Sequence, residues 1–134
     1  MKYLLDVNVL VAWGWEEHSD HERVAKWLAL ERAKPDAGFL TSPIPELGFV
    51  RVSVQRAAGT IAVKEACSTL EGMLASFGKT HSFIHDDQRG SELPTWCKVA
   101  ARTTDAHLLK LAMEHGAKLA TLDTGIPESF VVPT

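Results

Sequence analysis

Apolar positions along this chain fall in short blocks whose spacing switches between two periods. Tyr3-Leu4-Leu5 is followed by Val7, Val9, Leu10 and Val11, a nearly continuous apolar stretch broken by Asp6 and Asn8. Such a run predicts a strand buried on both faces, with Asp6 closing its apolar core. Ser19-Asp20-His21-Glu22 has the form of a capping box with Ser19 as N-cap. Val24, Trp27 and Leu28 follow at helical spacing and predict a helix over about 20–33. Pro35-Asp36-Ala37-Gly38 is a turn, and Phe39-Leu40-Thr41 a short second strand. Ser42-Pro43 then opens a helix, with proline at its first position.

The second half repeats the alternation. Thr60 is placed to cap a long helix to about Phe77, with Ala62, Ala66, Leu70, Met73, Leu74 and Phe77 on one stripe and Gly78 as its stop. His81 to His85 predicts a third strand, and a helix is expected near 91–100. Thr103-Thr104 caps a helix from Asp105 to His115, ended by Gly116. Lys118 to Leu122 is a fourth strand and Phe130-Val131-Val132 a short fifth. Strands alternating with helices mean βαβ units. The expected fold is α/β: a single domain over 1–134, a three-layer α/β/α sandwich around a parallel sheet of four or five strands. Glycine-rich dinucleotide and phosphate-loop motifs and the G-x-S-x-G elbow are absent.

Composition narrows the class. The 134 residues are 46% hydrophobic and 23% charged, the balance of an ordered domain. No apolar run approaches the ~18 residues of a membrane helix. The N-terminus reaches Asp6 before a secretory h-region forms, so a cytoplasmic protein is expected. Cys67 and Cys97, without C-x-x-C spacing, are expected to be two buried thiols in a reducing compartment. Fourteen Lys and Arg against 17 Asp and Glu give a net charge of −3, not the basic signature of a protein that holds nucleic acid by charge alone.

The positions of the acids change that picture. Ligands of open α/β sheets bind beyond the carboxyl ends of the strands. Asp6 ends strand one and Asp123 follows strand four. Glu46 lies in the first turns of the helix after strand two, and Asp105 in the first turn of the helix before strand four. All four map to one edge of the sheet. Two unit charges ~4 Å apart repel by about 4 kcal/mol at an effective dielectric of ~20, so such a cluster requires protons or cations. Oxygen-only ligands select hard cations, Mg²⁺ or Mn²⁺. Asn8 and Thr121, each two residues from an acid, are placed to support the site. Cations held this way suit phosphodiester cleavage. Without the four acids the formal charge turns from −3 to +1.

At these residues the chain resembles the PIN-domain nucleases. Leu4-Leu5-Asp6-Val7-Asn8-Val9-Leu10 resembles their opening D-x-N motif, and Thr104-Asp105-Ala106-His107-Leu108 their T-D-A-x-L motif. The segment from His115-Gly116 to Thr121-Leu122-Asp123 resembles their closing T-x-D strand, and Pro45-Glu46-Leu47 supplies the acid between. The short length is similar to VapC-type toxins of toxin–antitoxin pairs. The resemblance implies a Mg²⁺- or Mn²⁺-dependent endoribonuclease, usually a homodimer, held inactive by a cognate antitoxin protein. It implies metal-ligand and catalytic roles for Asp6, Glu46, Asp105 and Asp123, and supporting roles for Asn8 and Thr121. One departure stands out: Asp123 is followed by Thr124-Gly125-Ile126-Pro127, where the family has a basic or polar residue and then an aromatic one.

Other readings compete. A non-catalytic PIN-like regulatory or binding module would keep the fold and bind a cation or a protein arginine. A phosphoaspartate site would want an acid at position 8 and a receiver a lysine ending the last strand; Asn8 and Thr121-Leu122-Asp123 supply neither. His18 and His21 read as a surface pair, and Asp86-Asp87 as a solvated loop. Trp13, Trp15, Trp27 and Trp96 read as core or dimer-interface anchors rather than base-stacking platforms. Arg51, Arg56 and Arg102 fit either phosphate contacts or ordinary surface charge.

Overall fold

A computed structural model describes all of residues 1–134. The chain runs β1 (Lys2–Leu5), α1 (Val7–Gly14), α2 (His21–Arg32), β2 (Gly38–Thr41), α3 (Pro43–Arg56), α4 (Val63–Ser76), β3 (His81–Phe83), α5 (Thr103–Glu114), β4 (Lys118–Thr121) and β5 (Phe130–Val131). The five strands form one sheet in the order β3-β2-β1-β4-β5, and every pairing is parallel. The expected α/β/α sandwich is the fold. No helix is long and apolar enough to cross a membrane.

Strand residues alternate between two cores, as the period of two requires. Tyr3, Leu5, Phe39 and Ala120 face α1 to α4, against Leu10, Val24, Trp27, Phe49 and Leu70. Leu4, Leu40 and Leu119 face α5, against Leu108, Leu111 and Ala112. Aromatic rings tie the larger core together: Tyr3 meets Trp27 edge-on at 5.0 Å, and Trp13 stacks on Phe77 at 4.6 Å. Trp27 is buried and Trp13 half-buried, so neither is free to stack on a base.

The structure corrects the local reading in several places. The first strand stops at Leu5, and Val7 to Val11 belong to α1, whose Val9, Leu10, Val11 and Ala12 are all buried. A short run buried all round reads the same as strand or helix. Asp6 decides it by capping the helix: its Oδ1 accepts the Val7 N–H at 2.7 Å. The helix expected near 91–100 does not form. Pro94 lacks an N–H and disfavours helical geometry at Leu93, and only a single 3-10 turn, Ala100–Arg102, precedes α5. The N-cap of α2 is Asp20 rather than Ser19, and that of α4 is Ala62 rather than Thr60. Glu65 accepts the Ala62 N–H at 3.1 Å, while the Thr60 hydroxyl donates to Ala57 C=O at 2.7 Å. Cys67 and Cys97 are half-buried and unpaired, not fully buried.

Chain order places the site. From β1 the chain steps outward to β2 and β3, then returns to the other side of β1 for β4 and β5. The carboxyl ends of β1 and β4 therefore flank the point where strand order reverses, the usual ligand crevice of an open sheet. Asp6 follows β1 there and Asp123 lies just past β4. Close packing of α1 on α3 fixes the entry to α1. A Cβ on Gly48 would stand 3.0 Å from Val7 Cγ1 and closer still to its other methyl.

Candidate active site

Thr121, fully buried at the end of β4, is the hub of the site. Its hydroxyl donates to Asp6 Oδ2 at 2.8 Å and accepts from Asn8 Nδ2 and the Asp123 N–H, both at 3.1 Å. One donor and two acceptor positions exhaust a hydroxyl. The other side of Asn8 accepts the Leu122 N–H at 3.1 Å. Asn8 thus sits in the first turn of α1, not along a strand, and pins that turn to the end of β4.

Asp6 is 5% exposed and uses each carboxylate oxygen once, Oδ1 for Val7 and Oδ2 for Thr121. A carboxylate has about four lone-pair positions, so acceptor capacity remains. Burial raises its pKa above the usual carboxylate range against the two hydrogen bonds, and the nearby charges of Asp105 and Asp123 push in the same direction. Burial also raises Asp105, opposed by a hydrogen bond from Arg102. Asp123 is lowered, first by the Gly125 N–H, which donates to its Oδ1 at 2.7 Å, and also by Arg102.

Arg102 bridges two of these acids. Its Nη1 lies 2.7 Å from Asp123 Oδ2 and 3.2 Å from Asp105 Oδ2. Sequence reasoning offered this arginine to phosphate or to solvent; the structure gives it to the acid cluster. Its position one residue before α5 was visible in the sequence, but the reach of the side chain across to Asp123 was not.

Glu46 stands apart from the other three. Its Oε2 accepts the buried Thr41 hydroxyl at 2.7 Å, and Thr41 Oγ1 also lies 2.7 Å from His81 Nε2. With the hydroxyl proton committed to Glu46, the imidazole Nε2–H donates to Thr41. The histidine pKa is lowered by burial, against the pull of the Glu46 charge. Glu46 borders an apolar groove with Pro43, Leu47, Val50, Leu70 and Phe83. Asp6, Asn8 and Asp105 line a different cleft of about 420 Å³ together with His18, Arg51 and Arg56.

Remaining singled-out residues resolve simply. His18 Nδ1 accepts the Asp20 N–H at 3.0 Å, and His21 Nδ1 lies 2.9 Å from Ala12 C=O, so the two histidines serve separate turns. Trp15 donates to Ser53 Oγ at 3.0 Å, and Arg56 lies over its ring. Trp96 packs against the α5 core. Asp86 is not solvated: its Oδ2 is 2.7 Å from His107 Nε2, with side-chain exposures of 9% and 12%. Asp87 is exposed.

The donor set is oxygen throughout, which suits a hard divalent cation. As arranged, no three of the His, Cys, Asp or Glu side chains converge tightly enough to hold one ion. The Arg102 guanidinium occupies the space between two of the donors. The residues therefore fit a cation in kind, and two of the donors are held by a guanidinium in this arrangement.

An all-parallel five-stranded sandwich with acids at the switch point defines a PIN-like domain. The crystal structure of Mycobacterium tuberculosis VapC20, described as a sarcin–ricin loop cleaving toxin, has the same fold: TM-score 0.67, covering 98% of this chain and 99% of that one, at 14% identity. Ribonuclease VapC38 of Mycobacterium tuberculosis is 38% identical over 126 residues, covering 92% of this chain and 86% of the relative. Ribonuclease VapC39 of the same species is 31% identical over 138 positions, covering 96% and 94%. No family model matches the sequence. On these relatives the chain belongs to the VapC ribonuclease family.

Proposed function

We propose that this protein is a toxin-type endoribonuclease that cleaves RNA phosphodiesters with Mg²⁺ or Mn²⁺, and that a separate antitoxin protein silences it in the cytoplasm. Asp6, Asp105 and Asp123 are the proposed core of the cation site, and Glu46, turned to Thr41 and His81 in a separate groove, stands outside that core. Homodimerisation is part of the same reading. The observation that carries it is Asp6: a buried carboxylate fixed at both oxygens, with spare lone pairs and two further acids within electrostatic reach.

When bound, the cation supplies a lowered pKa for water and neutralises the leaving oxygen. The chain's own residues do the rest. Thr121 and the Val7 N–H hold the Asp6 carboxylate in one orientation, and Asn8 locks the first turn of α1 against β4. Arg51 and Arg56, exposed on the rim of the Asp6 cleft, are placed to draw the phosphate backbone in.

The test is cleavage of total RNA by the purified chain with and without Mg²⁺, alongside D6N and D105N. The proposal expects metal-dependent cleavage that either substitution abolishes. Cleavage persisting in metal-depleted buffer would sink it, and a chain that binds Mn²⁺ yet leaves RNA intact would be the non-catalytic module instead.

A further inference from the structure

We propose that Arg102 is the resident counter-cation of this site, and that a divalent cation enters by displacing it. The inference rests on reading Asp105 and Asp123 as cation ligands. It adds that the same oxygens serve two mutually exclusive partners.

The first argument is the bridge itself. Arg102 Nη1 contacts Asp123 Oδ2 at 2.7 Å and Asp105 Oδ2 at 3.2 Å, so one guanidinium nitrogen stands between the two carboxylates that face it. An ion ligated by those oxygens needs the volume this nitrogen fills. The guanidinium offsets one unit of negative charge where a divalent ion would offset two.

A second, independent argument is Gly125. A Cβ there would lie 3.0 Å from Arg102 Cζ and 3.3 Å from Nη1, and would overlap Nη2. The backbone of Gly125 is not in the left-handed region that calls for glycine; Gly59, Gly78 and Gly116 are the glycines found there. A methyl group at position 125 would meet the mobile tip of Arg102 and nothing nearer, so it would push the guanidinium off its present place.

A third argument makes displacement feasible. Arg102 is the N-cap residue of α5, at the positive end of the helix dipole, where a cation is disfavoured. The two acids hold it there against that field. Its side chain is 31% exposed, so a path to solvent is open. Competition of this kind is a coupling between two ligands of one site, and it is reciprocal. Without the ion, the arginine keeps the acids from repelling one another; with the ion, it is released.

The experiment is calorimetric titration of Mn²⁺, without RNA, into the full-length wild type, R102Q and G125A, with thermal melting of each alongside. R102Q should bind Mn²⁺ more tightly by about fivefold or more. It should melt below the wild type without the ion, with the gap narrowing at saturating Mn²⁺. If R102Q fails to fold, G125A carries the test: it keeps the charge but crowds the guanidinium out, and should also bind more tightly. Equal or weaker Mn²⁺ binding by the folded variant overturns the proposal while leaving the cation site standing. No Mn²⁺ binding by any of the three proteins overturns the cation reading and this one with it.

Discussion

The Thr121 hydroxyl and the Asp6 carboxylate, 115 residues apart in the chain, meet in a 2.8 Å hydrogen bond between the ends of two neighbouring parallel strands. The same hydroxyl receives Asn8 and the Asp123 N–H, so four residues from two segments of the site share one oxygen. Replacing it with a methyl group in T121V strands buried polar groups, each worth about 1–3 kcal/mol. We expect T121V to unfold at clearly lower urea than the wild type and to lose cleavage. T121S, which keeps the hydroxyl, should lie between them.

A cation that binds only the folded chain stabilises it by mass action. At 100 times its dissociation constant, Mn²⁺ should add about 2.7 kcal/mol to the unfolding free energy of the wild type. D105N and D6N should lose most of that increment. Denaturant titrations with and without Mn²⁺ measure it directly, and an equal increment in all three proteins would place the ion elsewhere.

Gly48 and Val7 touch where α3 crosses the start of α1, next to Asp6. A methyl group at position 48 overfills that contact, and overpacking a tight site costs typically about 1–3 kcal/mol. G48A should therefore be less stable and cleave more slowly. Trimming the partner in V7A/G48A should restore part of both losses, read by urea denaturation and by RNA cleavage.

His81 gives the protein a pH response. Its pKa in the folded chain is lowered from 6.5, chiefly by burial, so the folded state binds the proton less readily than the unfolded chain. As the pH falls below 6.5 the unfolded state takes up that proton first, and stability falls. It is regained as the pH rises back to the unfolded value. H81Q, whose amide can still donate to Thr41, removes this component. The stability of the wild type relative to H81Q should decline on acidification from 6.5, in parallel urea titrations.

Much of this is legible in the sequence. Asp6, Asp105 and Asp123 sit at strand ends and helix starts, and parallel topology alone carries such positions to one edge. Elements with a stop signal, such as α5 before Gly116, were placed to within a residue or two. The Val7–Val11 run was not, because full burial erases the period that separates helix from strand. Pro94 was a signal against the 91–100 helix, and its missing N–H prevailed. Glu46 follows the pattern of the other acids in sequence, yet its side chain turns to Thr41 and His81, a choice made by rotamer and packing. The Arg102 bridge and the Asp86–His107 pair are of that kind too: both span 21 residues without a periodic trace.

Asp6 both caps α1 and belongs to the acid cluster, and the two duties accept different replacements. Alanine at an N-cap costs about 0.5–2 kcal/mol, whereas asparagine and serine cap as well as aspartate. A lineage drifting toward inertness can shed Asp105 without disturbing a helix start, but it can leave position 6 only through a short list of substitutes. A silent descendant of this chain should therefore carry asparagine or serine there, a mark by which retired copies can be told from working ones.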